Sequence, residues 1–464
     1  AQLEQMVESQ SGTGNTPVGT CGIAHTRWAT HGVPNKINAH PHQSYSGRFV
    51  LIHNGIIENY AQLKAELLAG HSAAAEASGI RFLSETDTEV IVQLIDFYVT
   101  EKKSDTLTAF RKVLKMLSGS YAIVLIDKEQ PNVLYAARKS SPMVLGIRKQ
   151  ANLPAEYFVA SDASPIVEYT KEVMYLNDEE LLVLDVKEGI RFMNVEGEVL
   201  KPRFTQLQMG VDELEKGGYP FFMLKEIFQQ PQALRDCLRG KIATGSDEIH
   251  LPGLDEHFDR LMQAKRVLIL ACGTSWNAAL IGEHVIERYC RVPVEVEYAS
   301  EFRYRYPVIH PDDFVIALSQ SGETADTLAA VELAKSSGAF VYALCNVLGS
   351  SLARQSDACT YLNVGPELGV ASTKAFSAQV ALLVLLGWRL ACAKGLLSPQ
   401  ELSPMIDEML RVPEQVQEIL SAEDRISQLA VRFTYARNFI YLGRGYNFPV
   451  ALEGALKLKE ISYV

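Results

Sequence analysis

The chain has 464 residues, 47% of them hydrophobic, a formal net charge of −11 at pH 7 and an isoelectric point near 5.5. Such a length exceeds what one core accommodates and predicts roughly two to four domains. The acidic balance argues against a polyanion-binding surface, so no nucleic-acid partner is expected, while a local pocket for one phosphate stays open.

Residues 1–5 have neither a basic start nor an apolar segment, so no signal peptide is expected. Both ends read as cut: residues 19–23 look like strand already inside a domain, and residues 460–464 leave a helix without a stop signal. The cysteines (Cys21, Cys237, Cys272, Cys290, Cys345, Cys359, Cys392) are odd in number, scattered and free of Cys-x-x-Cys, which suits reduced thiols in a cytoplasmic protein.

Strand-like runs begin at Val50 and Ser120, separated by helical patterns over 88–99 and 107–117, and more strand follows over 133–147, 157–160 and 180–193. Consecutive strands predict antiparallel sheets covered by helices. "GIAHTRWATHG" at 22–32 gathers Arg27, Trp28, Thr30 and His31, and Arg27 suits a bidentate grip on a carboxylate. "HNGIIEN" at 53–59 places Asn54 and Gly55 just past a strand, where an amide and a glycine N–H can stabilise an oxyanion. "SETDTEV" at 84–90 puts Asp87 at a helix start. Each stretch also has a structural explanation, because Thr86 to Glu89 reads as a capping box and Asn-Gly as a common turn. His25, His31, His40 and His42, spaced by six, nine and two, match no usual zinc pattern, and no metal site is expected.

After about Leu207 the character changes. Residues 208–216 are polar and connect domains, and the aromatic stretch 219–224 is too apolar for a free linker. From Arg266 the pattern repeats strand, turn and helix, with strands over 267–271, 294–299, 314–318, 340–345 and 359–364, which predicts a parallel sheet with helices on both faces. The greasiest window, 380–388, is too short to span a bilayer and reads as a buried helix, so no membrane partner is expected. "VLILACGTSWNAALIGEHVIE" at 267 is echoed by "FIYLGRGYNFPVALEGALKLKE" at 439, which predicts a second strand, turn and helix.

Ligands of open parallel sheets sit at the carboxyl ends of strands, where helix N-termini offer free N–H groups. Thr274 and Ser275 follow the first strand, and Ser319, Gln320, Ser321 and Thr324 follow the third. Hydroxyls with a nearby glycine make an anion cradle without Lys or Arg, although each motif alone is equally explained by helix capping. The stretch 369–374, with Val370 and Ala371, is open to the same two readings. Neither a Walker loop nor a Gly-x-Gly-x-x-Gly fingerprint occurs at these turns, so a nucleotide is not expected. In "ALEGALKLKEIS" the residues Glu453, Lys457 and Glu460 fall on one helical stripe: either a catalytic face with Glu460 as general acid and base, or an ordinary solvated pair.

In their order and spacing, "AHTRWATHG", "HNGIIEN", "SETDTE", "ACGTS", "LSQSGETADT", "GVASTKAF" and "ALEGALKLKEISY" closely resemble the glutamine:fructose-6-phosphate amidotransferases over nearly the whole chain. The resemblance implies an α/β multidomain enzyme: an αββα glutaminase sandwich of the N-terminal-nucleophile hydrolase type, then two αβα phosphosugar-isomerase (SIS) modules, the second truncated. The expected division is 1–207 for the glutaminase, 208–226 for a linker, 227–395 for the first SIS module and 396–464 for the start of the second. By resemblance, Arg27 would bind the glutamine carboxylate with Thr30 and His31 nearby, Asp87 the α-amine, and Asn54 with Gly55 the oxyanion, while Trp28 would gate an ammonia channel. Ser275, Ser319, Gln320, Ser321 and Thr324 would hold the sugar phosphate, beside Thr274, Val370 and Ala371. Glu460 would move a proton between C1 and C2 of the sugar, with Glu453 and Lys457 lining that face.

The implied partners are glutamine and fructose 6-phosphate, with a homodimer or higher homo-oligomer and no metal or organic cofactor. The family's nucleophilic N-terminal Cys and its C-terminal catalytic His and Lys have no counterparts here, and Cys21 reads as a small core residue. The 464-residue chain alone is therefore expected to make no glucosamine 6-phosphate. A phosphosugar sensor has no use for Arg27, Asn54 and Asp87, and a phosphoribosyl amidotransferase would carry an acidic pair where "LSQSGETADT" stands.

Overall fold

A computed structural model describes residues 21–27, 31–69, 80–150, 153–207, 215–242 and 248–462. The expectations for Trp28 and Thr30, and those for residues 1–20, 208–214, 463 and 464, lie outside these. Two compact units divide the chain between Gln208 and Met209.

The upstream unit runs β1 (His42–Gln43), β2 (Phe49–Ile57), α1 (Tyr60–Ala69), α2 (Glu89–Thr100), α3 (Thr106–Met116), β3 (Gly119–Asp127), β4 (Val133–Lys139), β5 (Val144–Arg148), β6 (Glu156–Ala160), β7 (Glu172–Tyr175), β8 (Glu180–Asp185), β9 (Gly189–Asn194) and β10 (Thr205–Gln206). It contains two antiparallel sheets, ordered β1-β2-β3-β4-β8-β9 and β10-β7-β5-β6. Successive side chains of a strand point to opposite faces, and β2 uses both. Phe49 and Leu51 join Ile91, Ile95 and Phe110 in the core beneath the helices, while Ile52 packs with Leu145 and Met174 between the sheets. The outer face of the smaller sheet is covered by 163–170, wound as a helical turn through Val167 N–H to Ala163 O at 3.1 Å and Thr170 N–H to Ile166 O at 3.0 Å.

The expected strand over 133–147 is two strands, because Pro142 lacks an N–H for the ladder and β5 leaves for the other sheet. Residues 21–23 are coil, and Cys21 is half-buried rather than a core residue. Burial pushes its thiol pKa up.

The downstream unit continues with α4 (Phe222–Leu238), β11 (Arg266–Ala271), α5 (Gly273–Cys290), β12 (Val294–Tyr298), β13 (Asp313–Ser319), α6 (Ala325–Ser336), β14 (Phe340–Cys345), β15 (Ala358–Tyr361), α7 (Lys374–Ala393), α8 (Pro399–Leu420), α9 (Glu423–Arg432) and α10 (Asn447–Ser462). Its sheet is parallel throughout, in the order β12-β11-β13-β14-β15. One core lies under α4, α5 and α7, the other under α6. Leu402 and Ile406 of α8 pack in the first of these, so α8 begins as part of this layer.

Two expectations are corrected. Helix α7 is 20 residues long and apolar enough to cross a membrane by length and composition, so the short-window reading fails; burial of two-thirds of it, with Leu382, Leu383 and Leu386 in the sheet core, marks it as a core helix. The strand foreseen at 439 is coil with Ile440 and Leu442 exposed, because among the described residues no neighbour offers it a ladder. The helix foreseen after it is present as α10.

Candidate functional site

The upstream unit holds a cavity of about 270 Å³ lined by His25, Arg27, His31, His40, His53, Asn54, Gly55, Ile56, Thr86, Asp87, Thr88 and Ser120. Arg27, His31, Asn54, Gly55 and Asp87, chosen from separate sequence stretches, therefore meet in one place. Asn54 and Gly55 are not past a strand but inside β2, opposite Ala122 and Tyr121 of β3. Nor does Asp87 start a helix. It precedes α2, whose N-cap is Thr88 without a side-chain cap, and its buried Oδ2 accepts from Ile57 N–H at 2.7 Å. That leaves Oδ1, 3.9 Å from His31 Nδ1, for a cationic group. The foreseen capping box is absent, since the Glu89 carboxylate reaches back to the N–H groups of Leu83 and Ser84.

Arg27 has φ of 53° and donates to the carbonyls of His31, Gly32 and Val33 at 2.6, 3.0 and 3.2 Å, so part of its guanidinium shapes the loop on which His31 stands. Beside it runs a histidine chain that spacing did not reveal. His25 Nδ1 accepts from Arg27 N–H at 2.9 Å, so the proton on its 2.9 Å contact with His40 belongs to His40 Nδ1. His40 Nε2 lies 3.1 Å from Thr88 Oγ1, and Thr88 Oγ1 lies 2.9 Å from His53 Nδ1, while His53 Nε2 faces the Ser120 carbonyl at 3.4 Å. Burial drives the pKa of His40 down to about 3 and that of His53 to about 4, so both imidazoles are neutral at pH 7. The described residues contain no cluster of His, Cys, Asp and Glu able to hold a metal ion.

The second cavity, of about 180 Å³, lies at the carboxyl ends of β11 and β13. There the strand order reverses, with β12 on one side of β11 and β13 on the other, which is where open α/β sheets bind ligands. Its lining includes Thr274, Ser275, Ser319, Gln320, Ser321, Thr324, Val370, Lys457 and Glu460. Ala371 is fully buried and stays out of the lining.

The capping explanation fails here: Cys272, Thr324 and Thr373 sit at the N-caps of α5, α6 and α7 without side-chain cap bonds. Three serine hydroxyls instead accept from donors inside the protein. Ser319 Oγ accepts from Gly322 N–H at 2.9 Å, Ser321 Oγ from Glu323 N–H at 3.2 Å, and Ser275 Oγ from Gln379 Nε2 at 2.9 Å. Each keeps its own proton for a further acceptor, so an uncharged rim presents donors to an anion.

Thr274 does something else. Its Oγ1 donates to Glu453 Oε1 at 3.0 Å and accepts from Lys457 Nζ at 2.8 Å, joining the turn after β11 to α10. Glu453, buried and outside the lining, also accepts from Asn277 Nδ2 at 2.8 Å, and Lys457 reaches Glu460 Oε2 at 3.0 Å. The charged stripe of α10 is thus turned onto the strand ends, not onto solvent. The Val370 loop is held from behind: Glu226 accepts from Gly369 N–H at 3.0 Å, and Glu367 from Thr373 N–H at 2.8 Å and Ser372 Oγ at 2.7 Å. Glu226, Glu367 and Gln379 lie outside the quoted motifs, and His53, Thr88 and Asn277 lie inside quoted stretches without having been singled out; only the fold brings them to these positions.

A glutamine amidotransferase domain model matches residues 25–167, and a SIS domain model matches residues 260–388. The glutamine–fructose-6-phosphate aminotransferase [isomerizing] of Bacteroides thetaiotaomicron is 53% identical over 446 residues, 96% of this chain and 70% of that protein. The protein of the same name from Chlorobaculum tepidum is 49% identical over 447 residues, covering 96% and 70%. Among solved structures, the C-terminal domain of glucosamine-fructose-6-phosphate aminotransferase from Francisella tularensis superposes with a TM-score of 0.51 at 39% identity, covering 54% of this chain and 70% of that one.

Proposed function

The chain belongs to the family of isomerizing glutamine–fructose-6-phosphate aminotransferases, and from that membership we propose how its two cavities divide the reaction. The enzyme class is a transferase: nitrogen from glutamine is passed to fructose 6-phosphate, which is isomerised to glucosamine 6-phosphate. The glutamine amidotransferase domain takes glutamine in the 270 Å³ cavity. Arg27 pairs with its α-carboxylate, Oδ1 of Asp87 takes its α-ammonium, and the Asn54 amide with the Gly55 N–H faces the oxyanion that develops at the side-chain carbonyl.

The SIS domain takes fructose 6-phosphate at the strand ends, its phosphate accepting from the hydroxyls of Ser275, Ser319, Ser321 and Thr324. Anchoring the phosphate fixes the far end of the open-chain ketose near α10. Ammonia adds to the C2 carbonyl and water leaves, giving an imine. Glu460 removes a proton from C1 while the imine nitrogen takes one up, giving an enolamine. It then returns its proton to C2 as the C1 hydroxyl gives up its own, which yields the 2-amino aldose with no net change in protons. Lys457, ion-paired with Glu460 and Glu453, holds that carboxylate in place. The domain division extends the same reading: 1–207 for the glutaminase and 227–395 for the first SIS module, against which the start of α8 packs, with the rest of 396–464 belonging to a second module. Free thiols throughout the described residues fit a cytoplasmic setting.

The observation that carries this reading is the meeting of neutral hydroxyl donors and the α10 acid-base stripe in one cavity of about 180 Å³. Titration calorimetry with fructose 6-phosphate tests it. Ser321→Ala and Thr324→Ala should each weaken binding about tenfold or more, as expected for a hydrogen bond of ~1.5–3 kcal/mol to a charged group. Unchanged affinity in both would sink the assignment.

A further inference from the structure

Of the three cavity serines whose hydroxyls accept a hydrogen bond, two receive it from the backbone of their own turn: Ser319 from Gly322 N–H and Ser321 from Glu323 N–H. Ser275 stands on the first turn of α5 and has no such neighbour. Its hydroxyl oxygen instead accepts from Gln379 Nε2 at 2.9 Å, across 104 residues, from the second turn of α7. Gln379 is 0% exposed and sits among apolar residues of the sheet core, a costly place for an amide. Its Oε1 has no hydrogen-bond partner among the described residues.

A buried amide with one unpaired end destabilises the fold, and an apolar residue of similar size would remove that cost. Its orientation is also directional. As it stands the amide leaves its oxygen and one N–H unpaired. The opposite orientation would let Oε1 accept from Ser275 but leave both N–H groups unpaired, and since a buried orphan N–H is rarer than an orphan carbonyl oxygen, donation to Ser275 is favoured. With one lone pair of Ser275 Oγ taken, and no acceptor for its proton among the described residues, the O–H is left to point at whatever lies in the cavity.

We propose that Gln379 is a positioning residue for sugar-phosphate recognition: by donating to Ser275 Oγ it fixes that hydroxyl as a donor to the phosphate, doing from a distant helix what backbone N–H groups do for Ser319 and Ser321. It touches no substrate. The proposal rests on the assignment of the cavity to fructose 6-phosphate made above.

A double-mutant cycle on the whole chain tests it, with calorimetric fructose 6-phosphate affinity at about pH 8 and thermal midpoint measured for the wild type, Gln379→Met, Ser275→Ala and the pair. The expected result is a loss of about fivefold to tenfold for Gln379→Met, a similar or larger loss for Ser275→Ala, and no further loss when the two are combined. Gln379→Glu keeps the shape of the amide but, ionised, takes the Ser275 proton for itself, and is expected to bind more weakly than Gln379→Met. A role confined to packing predicts instead that Gln379→Glu binds like the wild type, or that Gln379→Met shifts the midpoint while leaving affinity intact. Either result overturns the proposal, as do losses that multiply in the double variant. If one Gln379 variant fails to fold, the other still decides the matter. A wild-type chain that shows no affinity for fructose 6-phosphate would defeat the cavity assignment itself, a different failure from independent Gln379 and Ser275 effects in a chain that binds.

Discussion

Gly55 lies inside β2 with φ of 137°, and a Cβ there would fall 2.2 Å from the Ser120 carbonyl oxygen and 3.0 Å from the Ser141 hydroxyl. Only glycine lets β3 approach that closely at that angle. Gly55→Ala is therefore expected to lower stability by about 2–3 kcal/mol, seen as a reduced urea midpoint; an unchanged midpoint would show that β3 gives way freely. The same residue marks the limit of reading sequence. Asn-Gly was legible as a special backbone position, but a turn and a distorted strand interior both ask for glycine, and only the pairing with Tyr121 distinguishes them. Glu453 is a parallel case. Its spacing with Lys457 and Glu460 was visible, but whether the stripe met water or the turn after β11 depended on Thr274 and Asn277, more than 170 residues upstream.

Helices α5 and α7 meet through glycines. A Cβ on Gly387 would lie 2.7 Å from Val285 Cγ1, and one on Gly282 would lie 2.9 Å from Leu383 Cδ1. Alanine is the better helix former by about 1 kcal/mol, so Gly387→Ala would stabilise an exposed helix. Here Val285 is 4% exposed and β-branched, with little freedom to turn aside. Overpacking is expected to win, with a net loss of about 1–2 kcal/mol in chemical denaturation, and a gain in stability would refute the close contact. At this scale the strands of the parallel sheet were well foreseen, each within a few residues, because buried parallel strands are continuous apolar runs between turn signals. The strand foreseen at 439 failed for a matching reason: apolar pattern supplies the tendency, while a strand also needs a neighbour.

For the molecule as a whole, the buried histidines set a pH dependence. Unfolded imidazoles titrate near 6.5, whereas burial holds His53 to about 4 and His40 to about 3. Below about pH 6.5 the unfolded chain takes up protons that the folded upstream unit refuses, so stability falls as pH falls toward 4 and then 3. Above about pH 6.5 both states are neutral at these positions and the slope from them vanishes. Asp127 acts in a lower window: burial alone would raise its pKa, but the bonds from Arg48 and Thr106 outweigh it and hold the carboxyl below 3.8. Thermal melting of the chain at about pH 7.5 and pH 5 should show a lower first transition at pH 5, and His53→Asn should flatten that difference. Equal midpoints for the wild type at the two pH values would contradict neutral burial of these rings.

The sequence by itself determined the order of the units, the strand and helix types, and the family, because these follow from local periodicity and from short motifs whose residues are close along the chain. Tertiary structure decided which side chains share a proton and which way each hydroxyl donates. Those choices depend on hydrogen bonds between residues far apart in sequence, such as Gln379 with Ser275, Glu453 with Thr274 and His40 with Thr88, and neither composition nor spacing carries that information.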